Sequence, residues 1–209
     1  SSPVKAFRVS GWISVTLGFS APIALVSITA GSYLKTMFPG LSVTWFAILM
    51  VVCVALVHLG ARSGSAFFQQ TITAIKVLVI LVFIAMVPLV MAPVQDLQWS
   101  LGVEEISLVS TGAFATALIF VNYAYTGWNA ATYIVGEFEN PRSDLPVVLI
   151  TGTLFVAVLY ILIHIVFLSS TPMSLMANKL EIGFVVSEHV FGEGAAKIFS
   201  ALLAVLLVS

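Results

Sequence analysis

NYAYTGWNAATYIVGEFENPRSDLP, residues 122–146, interrupts a chain built mostly from Leu, Val, Ile, Ala and Phe. Asn122, Tyr123, Tyr125, Thr126, Gly127, Trp128 and Asn129 fall together, and charges and two prolines follow at once. The apolar run holding this cluster covers 107–137, which is 31 residues. As one helix it would be about 46 Å long, against a hydrocarbon core of about 30 Å. Gly127 lowers helix propensity, and β-branched Thr126 beside it does not restore it. Two readings follow. One is a long tilted helix that puts Tyr125, Trp128 and Tyr133 at an interface. The other is a helix broken near Thr126 and Gly127. A break frees backbone N–H and C=O groups that lipid cannot satisfy, so they must face a cavity or other protein.

Composition sets the class. The chain has 209 residues, 60% hydrophobic and 8% charged, with mean hydropathy +1.14. A soluble domain carries roughly 25% charged residues, so this chain reads as an integral membrane protein. Its net charge of -1 gives a nucleic-acid partner no support. Cys53 is the single cysteine, which leaves no internal disulfide and no metal site to expect. The opening SSPVKAFRVSGW shows no signal peptide. SALLAVLLVS stops inside an apolar run, about 15 residues after Gly194. A span needs about 20 residues, so the chain is expected to be a piece of a longer protein.

Six apolar segments, at about 9–34, 41–60, 67–91, 107–137, 147–168 and 194–209, form a single partial transmembrane domain over 1–209. Their lengths suit helices, and none alternates as a barrel strand does. FPGLS, GARSGS, MAPVQD, ENPRSDLP and SSTPMS separate them as turn material. EIGFVVSEHVFG, at 181–192, is too short to span and is expected as a short helix on the surface. Basic residues orient the chain. Lys5, Arg8, Arg62 and Arg142 share one side, against Lys35, Lys179 and Lys197 on the other. The bias favours a cytoplasmic chain start and a cytoplasmic 138–146 loop.

The quoted stretch resembles the sixth transmembrane helix and following loop of amino acid permeases in the amino acid–polyamine–organocation superfamily. The likeness lies in the aromatic–small–Tyr–small run before Gly127-Trp128-Asn129, then Glu137, Asn140-Pro141 and Leu145-Pro146. GFSAPIALVSITAGSYLKTMFPG is similar to the third helix, QQTITAIKVLVILVF to the fifth, and HVFGEGAAKIFSALLAVLLVS to the start of the eighth. The resemblance implies an all-α, LeuT-like five-plus-five inverted-repeat transporter fold, of which this chain holds about helices three to eight. FSAPIA at 19–24 and FSALLA at 199–204 lie in segments that should then correspond.

It also implies roles. An amino acid's ammonium would rest on unwound carbonyls of Tyr123, Ala124 and Thr126. Tyr123 stands where the family has a gating aromatic, and Gly127 would permit the unwinding. Tyr125 belongs to the same substrate-binding set, and Asn129 would tie the break to a neighbour or reach the substrate. Free carbonyls suit a cation in low dielectric because they avoid the desolvation of a buried acid. Lys76 is the one charged side chain well inside an apolar segment, about 13 Å along its helix. It reads either as a coupling residue that exchanges a proton or as a lysine that snorkels to the interface. The family's fifth helix carries a lysine at this motif position. Ser20 and Ser200 lie in segments that could line the same region.

Other polar residues read as plain structure. His58 suits an interface and His164 a packing or polar-pair role, and Glu188-His189 lacks the second His of a metalloprotease motif. ARSGSA offers Ser but no base for a hydrolase. Glu137, Glu139, Arg142 and Asp144 read as solvated loop charge, part of which could pair at an inner gate. All nine acids sit in loops or at segment ends, which favours a neutral amino acid over a polyamine. The expected function is secondary active transport by alternating access, proton-coupled or exchanging, in a plasma membrane of bacterial type. The partners are an amino acid, the lipid bilayer and protons. No cofactor, metal or covalent catalysis is expected. A polyamine permease, a channel and an intramembrane hydrolase are the alternatives.

Overall fold

The computed structural model describes residues 10–13, 16, 18, 20–60, 65–95, 97, 102–125, 127 and 135–207. For 57–60, 65–68, 104, 105 and 137 it describes the backbone alone. Among these residues the chain forms helices and no strand. They are α1 (Ser20–Met37), α2 (Val43–Gly60), α3 (Ser65–Val90), α4 (Val103–Val109), α5 (Gly112–Ala124), α6 (Pro141–Ser170), α7 (Met173–Met176), α8 (Ile182–Phe191) and α9 (Glu193–Leu207). A 3-10 turn at Val135–Glu137 precedes α6. Two helices, Gln69–Val90 within α3 and Pro141–Ser170, are long and apolar enough to cross a membrane. Large apolar side chains face outward, with Trp45 73% and Leu89 84% exposed. Hydrocarbon accepts such a surface, whereas water does not.

The chain divides into two compact units, 1–95 with 170–209, and 96–169. In the first, α1 packs against α2 and α9, and α9 against α8. Small residues allow this. Ser27, Ala30 and Gly31 are buried on α1, and Ala196, Ser200 and Ala204 on α9. In lipid, helices associate through close packing and hydrogen bonds rather than through expulsion of water, so small interface residues are favoured. A methyl group added at Gly31 would stand 3.2 Å from the Val43 carbonyl oxygen and 3.1 Å from Val43 Cγ1. Hydroxyls along the helices bond backward to their own carbonyls, as Ser27 does to Ile23 and Thr29 to Leu25.

One cluster crosses between helices. The Ser200 hydroxyl donates to the Tyr33 carbonyl at 2.8 Å and meets Thr36 Oγ1 at 2.9 Å. Tyr33 Oη accepts from the Gly183 amide at 3.2 Å. That amide lies in the first turn of α8, where N–H groups lack helical partners, and Glu181 supplies no side-chain cap. The 181–192 stretch holds the short helix expected there, and one face of it packs into the unit while Glu188 and His189 stay exposed. Gly183, Val186 and Ser187 are buried, with Val186 at 0% exposure. The helix ends at Gly192, whose φ of 83° is readily adopted only by glycine. Phe83 of α3 stacks on Phe199 at 4.7 Å and meets Phe191 edge-on at 6.0 Å.

In the second unit the helix bounds differ from those expected. The 107–137 run divides near 110 as well as after 124. Thr111 caps α5, its hydroxyl accepting from the Phe114 amide at 3.2 Å. α6 starts at Pro141 rather than at 147. Proline suits a first helical position because its missing N–H would have had no partner there. The Asn140 carbonyl accepts from the Ser143 and Asp144 amides at 3.1 and 3.0 Å. Much of ENPRSDLP is thus helical, with Ser143 Oγ bonded to Asp144 Oδ1 at 2.9 Å.

Candidate functional site

The C-terminal end of α5 is built by residues of the second unit alone. The helix stops at Ala124, and Tyr125 has non-helical φ -97° and ψ 5°. The cap's N–H groups turn back to the Asn122 and Tyr123 carbonyls. The Tyr125 amide donates to the Asn122 carbonyl at 3.1 Å, a tightened last turn. The Ala124 carbonyl accepts instead from the Tyr160 hydroxyl of α6, at 3.2 Å. The Tyr125 and Tyr160 rings meet edge to face, 5.3 Å between centroids and 86° between planes. One turn along α6, His164 Nδ1 lies 2.7 Å from the Tyr160 carbonyl. Ala124, Tyr125, Tyr160 and His164 share a groove of about 610 Å³ with Phe120, Ile161 and other apolar side chains.

Of the expected substrate residues, Tyr123, Ala124 and Tyr125 come together at this helix end, Tyr123 and Tyr125 half-buried. Thr126 and Asn129 lie outside the described residues, as do Trp128 and Tyr133. Gly127 is exposed in the next turn, and a methyl group there would meet nothing within 4 Å. Among the described residues no close approach demands glycine at 127, so its expected part rests on backbone freedom.

Lys76 belongs to the other unit, half-buried on α3. Phe83 and Val87, the buried residues among those described on that helix, lie seven and eleven residues on. At 3.6 residues per turn both fall within about 20° of Lys76 around the axis. The helix backbone thus sets Lys76 on the packed face. Ser200 is buried with two hydrogen bonds, whereas Ser20 is exposed and bonds the Thr16 carbonyl of its own turn, so the paired hexapeptides place their serines in unlike surroundings. Glu193 and Lys197 pair at 2.6 Å on an exposed face, an arrangement that contributes little. Among the described residues no group of three or more His, Cys, Asp or Glu could hold a metal.

The chain matches the family described as Amino acid permease over residues 1–209. It belongs to the amino acid permease family. The permease chain is 30% identical over 187 residues to the b(0,+)-type amino acid transporter 1 of Oryctolagus cuniculus, covering 85% of this chain and 37% of that protein. It is 24% identical over 212 residues to the cystine/glutamate transporter of Homo sapiens, covering 96% and 41%. It is 26% identical over 162 residues to the branched-chain amino acid permease BcaP of Bacillus subtilis (strain 168), covering 78% and 32%. The permease chain thus spans less than half the length of these relatives. Family membership makes it an integral membrane protein, in keeping with its composition.

Two residues of this permease escaped the reading of its sequence. Tyr160 carried a usable signal, a lone Tyr four residues before His164 in an aliphatic run. Tyr33 carried none, since its partner lies 150 residues away.

Proposed function

We propose that the complete protein carries amino acids across a membrane by alternating access, as a secondary transporter and not as an enzyme. The observation that carries this reading is the end of α5 at Ala124, inside an apolar segment, with a carbonyl available beside a groove. A carbonyl has two lone pairs, so Ala124 can accept an ammonium hydrogen bond. Tyr123, Ala124 and Thr126 would supply such oxygens, with Tyr123 as the gating aromatic and Asn129 bracing the break. The names of the relatives support amino acids as the substrate class. The placement of all nine acids outside mid-membrane favours a neutral side chain. Orientation follows the basic residues, with residues 138–146 cytoplasmic in a bacterial-type plasma membrane.

Uptake of labelled amino acids by the complete protein tests this. It should saturate with concentration. Leucine at 127 favours continued helix over glycine by about 1 kcal/mol, so Gly127→Leu should lower uptake several-fold. Full transport by that variant would count against the unwinding role, and currents that never saturate would indicate a channel.

Lys76 is proposed as the proton-coupling group, on the strength of its packed helix face. Uptake by the wild type should rise as external pH falls. In Lys76→Ala that slope should flatten, and an unaltered slope would reject the assignment.

A further inference from the structure

We propose that Tyr160 and the ammonium group of the substrate are competing partners for the Ala124 carbonyl, so that Tyr160 sets how tightly the substrate is held. The inference rests on the reading that this helix end receives an amino acid.

The geometry favours exchange over sharing. The Tyr160 hydroxyl reaches Ala124 at 3.2 Å, long for an O–H···O bond, which usually measures about 2.7–2.8 Å. Both partners are neutral. An ammonium donates charge-assisted bonds that are shorter and roughly twice as strong, so the hydroxyl is the weaker rival. An ammonium brings three donors and no acceptor. A hydroxyl donating to Ala124 takes up one of the two lone pairs of that oxygen and sets its positive hydrogen beside the atom that the ammonium must reach.

Release of the carbonyl requires little movement. The Tyr160 ring is steadied by the Tyr125 edge contact at 5.3 Å. Its backbone stays within α6, where His164 sits against its carbonyl. Only the phenol must tilt, into the groove that Tyr160 itself lines. Until then the hydroxyl satisfies a carbonyl at the end of α5, and in lipid an unsatisfied carbonyl is strongly disfavoured. Tyr160 is thus a residue that sets affinity by competing for the Ala124 carbonyl.

The test is uptake by the complete protein of whichever labelled amino acid the wild type transports best. Tyr160→Phe keeps the ring and its contact with Tyr125 but removes the competing donor. Its half-saturation concentration should fall about three- to tenfold, the factor that one neutral hydrogen bond contributes. Inhibition by the analogue with hydrogen in place of the ammonium, which has no donor at that position, should stay unchanged. An unchanged or raised half-saturation overturns the proposal, as does an equal gain for that analogue. A wild type that transports no amino acid would sink the reading of the site itself, a separate result. A second measurement needs no variant. In a wild-type structure with the amino acid bound, Tyr160 Oη should lie beyond hydrogen-bond distance of the Ala124 oxygen. A retained bond there would overturn the proposal.

Discussion

Gly183→Leu should destabilise the complete protein by about 2–5 kcal/mol, the sum of overpacking and a lost buried hydrogen bond. A Cβ at 183 would lie 2.9 Å from Leu203 Cδ1, 3.0 Å from Tyr33 Oη and 3.4 Å from Phe199 Cε1. The leucine tip can swing away. The tyrosine cannot do so without releasing the Gly183 amide that it holds at 3.2 Å. Thermal unfolding in detergent should show a drop of many degrees. Gly194→Leu is the control, because a methyl group there meets nothing within 4 Å. Equal effects of the two changes would mean that α8 is not locked to α1 through Tyr33.

The second large effect is expected from Phe83→Ala. Phe83 is 4% exposed and joins α3 to α8 and α9 through Phe191 and Phe199. In water-soluble cores such a truncation costs about 3–5 kcal/mol. Part of that is transfer from water, which shrinks where the surrounding solvent is lipid. The void and the lost ring pairs remain, the latter worth about 0.5–1.5 kcal/mol each. A loss of roughly 2–3 kcal/mol is therefore expected, with Phe83→Leu recovering about half. A measured loss below about 0.5 kcal/mol would show that the cluster does not hold α3 in place.

Much of this was legible in the sequence, for definite physical reasons. Sparse charge and long apolar runs fix an all-helical membrane chain, because only a closed hydrogen-bond ladder survives in lipid. The permease resemblance at Gly127-Trp128-Asn129 anticipated the family that the whole chain matches. The break at 110–111 was within reach, since Thr111 before Gly112 is a good cap. Pro141 was read as turn material, although a proline can equally open a helix. The burial of α8 was out of reach. It depends on a missing Cβ at Gly183 and a hydroxyl 150 residues upstream, a pairing that no local pattern encodes. Tyr160 at the Ala124 carbonyl is a similar case, 36 residues apart and visible only once both helices are in place.

The bond from Ser200 to the Tyr33 carbonyl joins residues 167 positions apart. A ribosome adds about 5–20 residues each second. Roughly ten to thirty seconds therefore separate the emergence of α1 from that of its partner α9. Through that interval the small-residue face of α1 has no α9 to receive it, and the Gly183 donor for Tyr33 arrives almost as late. α2 follows at once and covers the Gly31 side. The contact between α1 and α9 therefore forms only after every helix between them has been made, and Tyr33 and Ser200 wait for one another across the whole of that stretch.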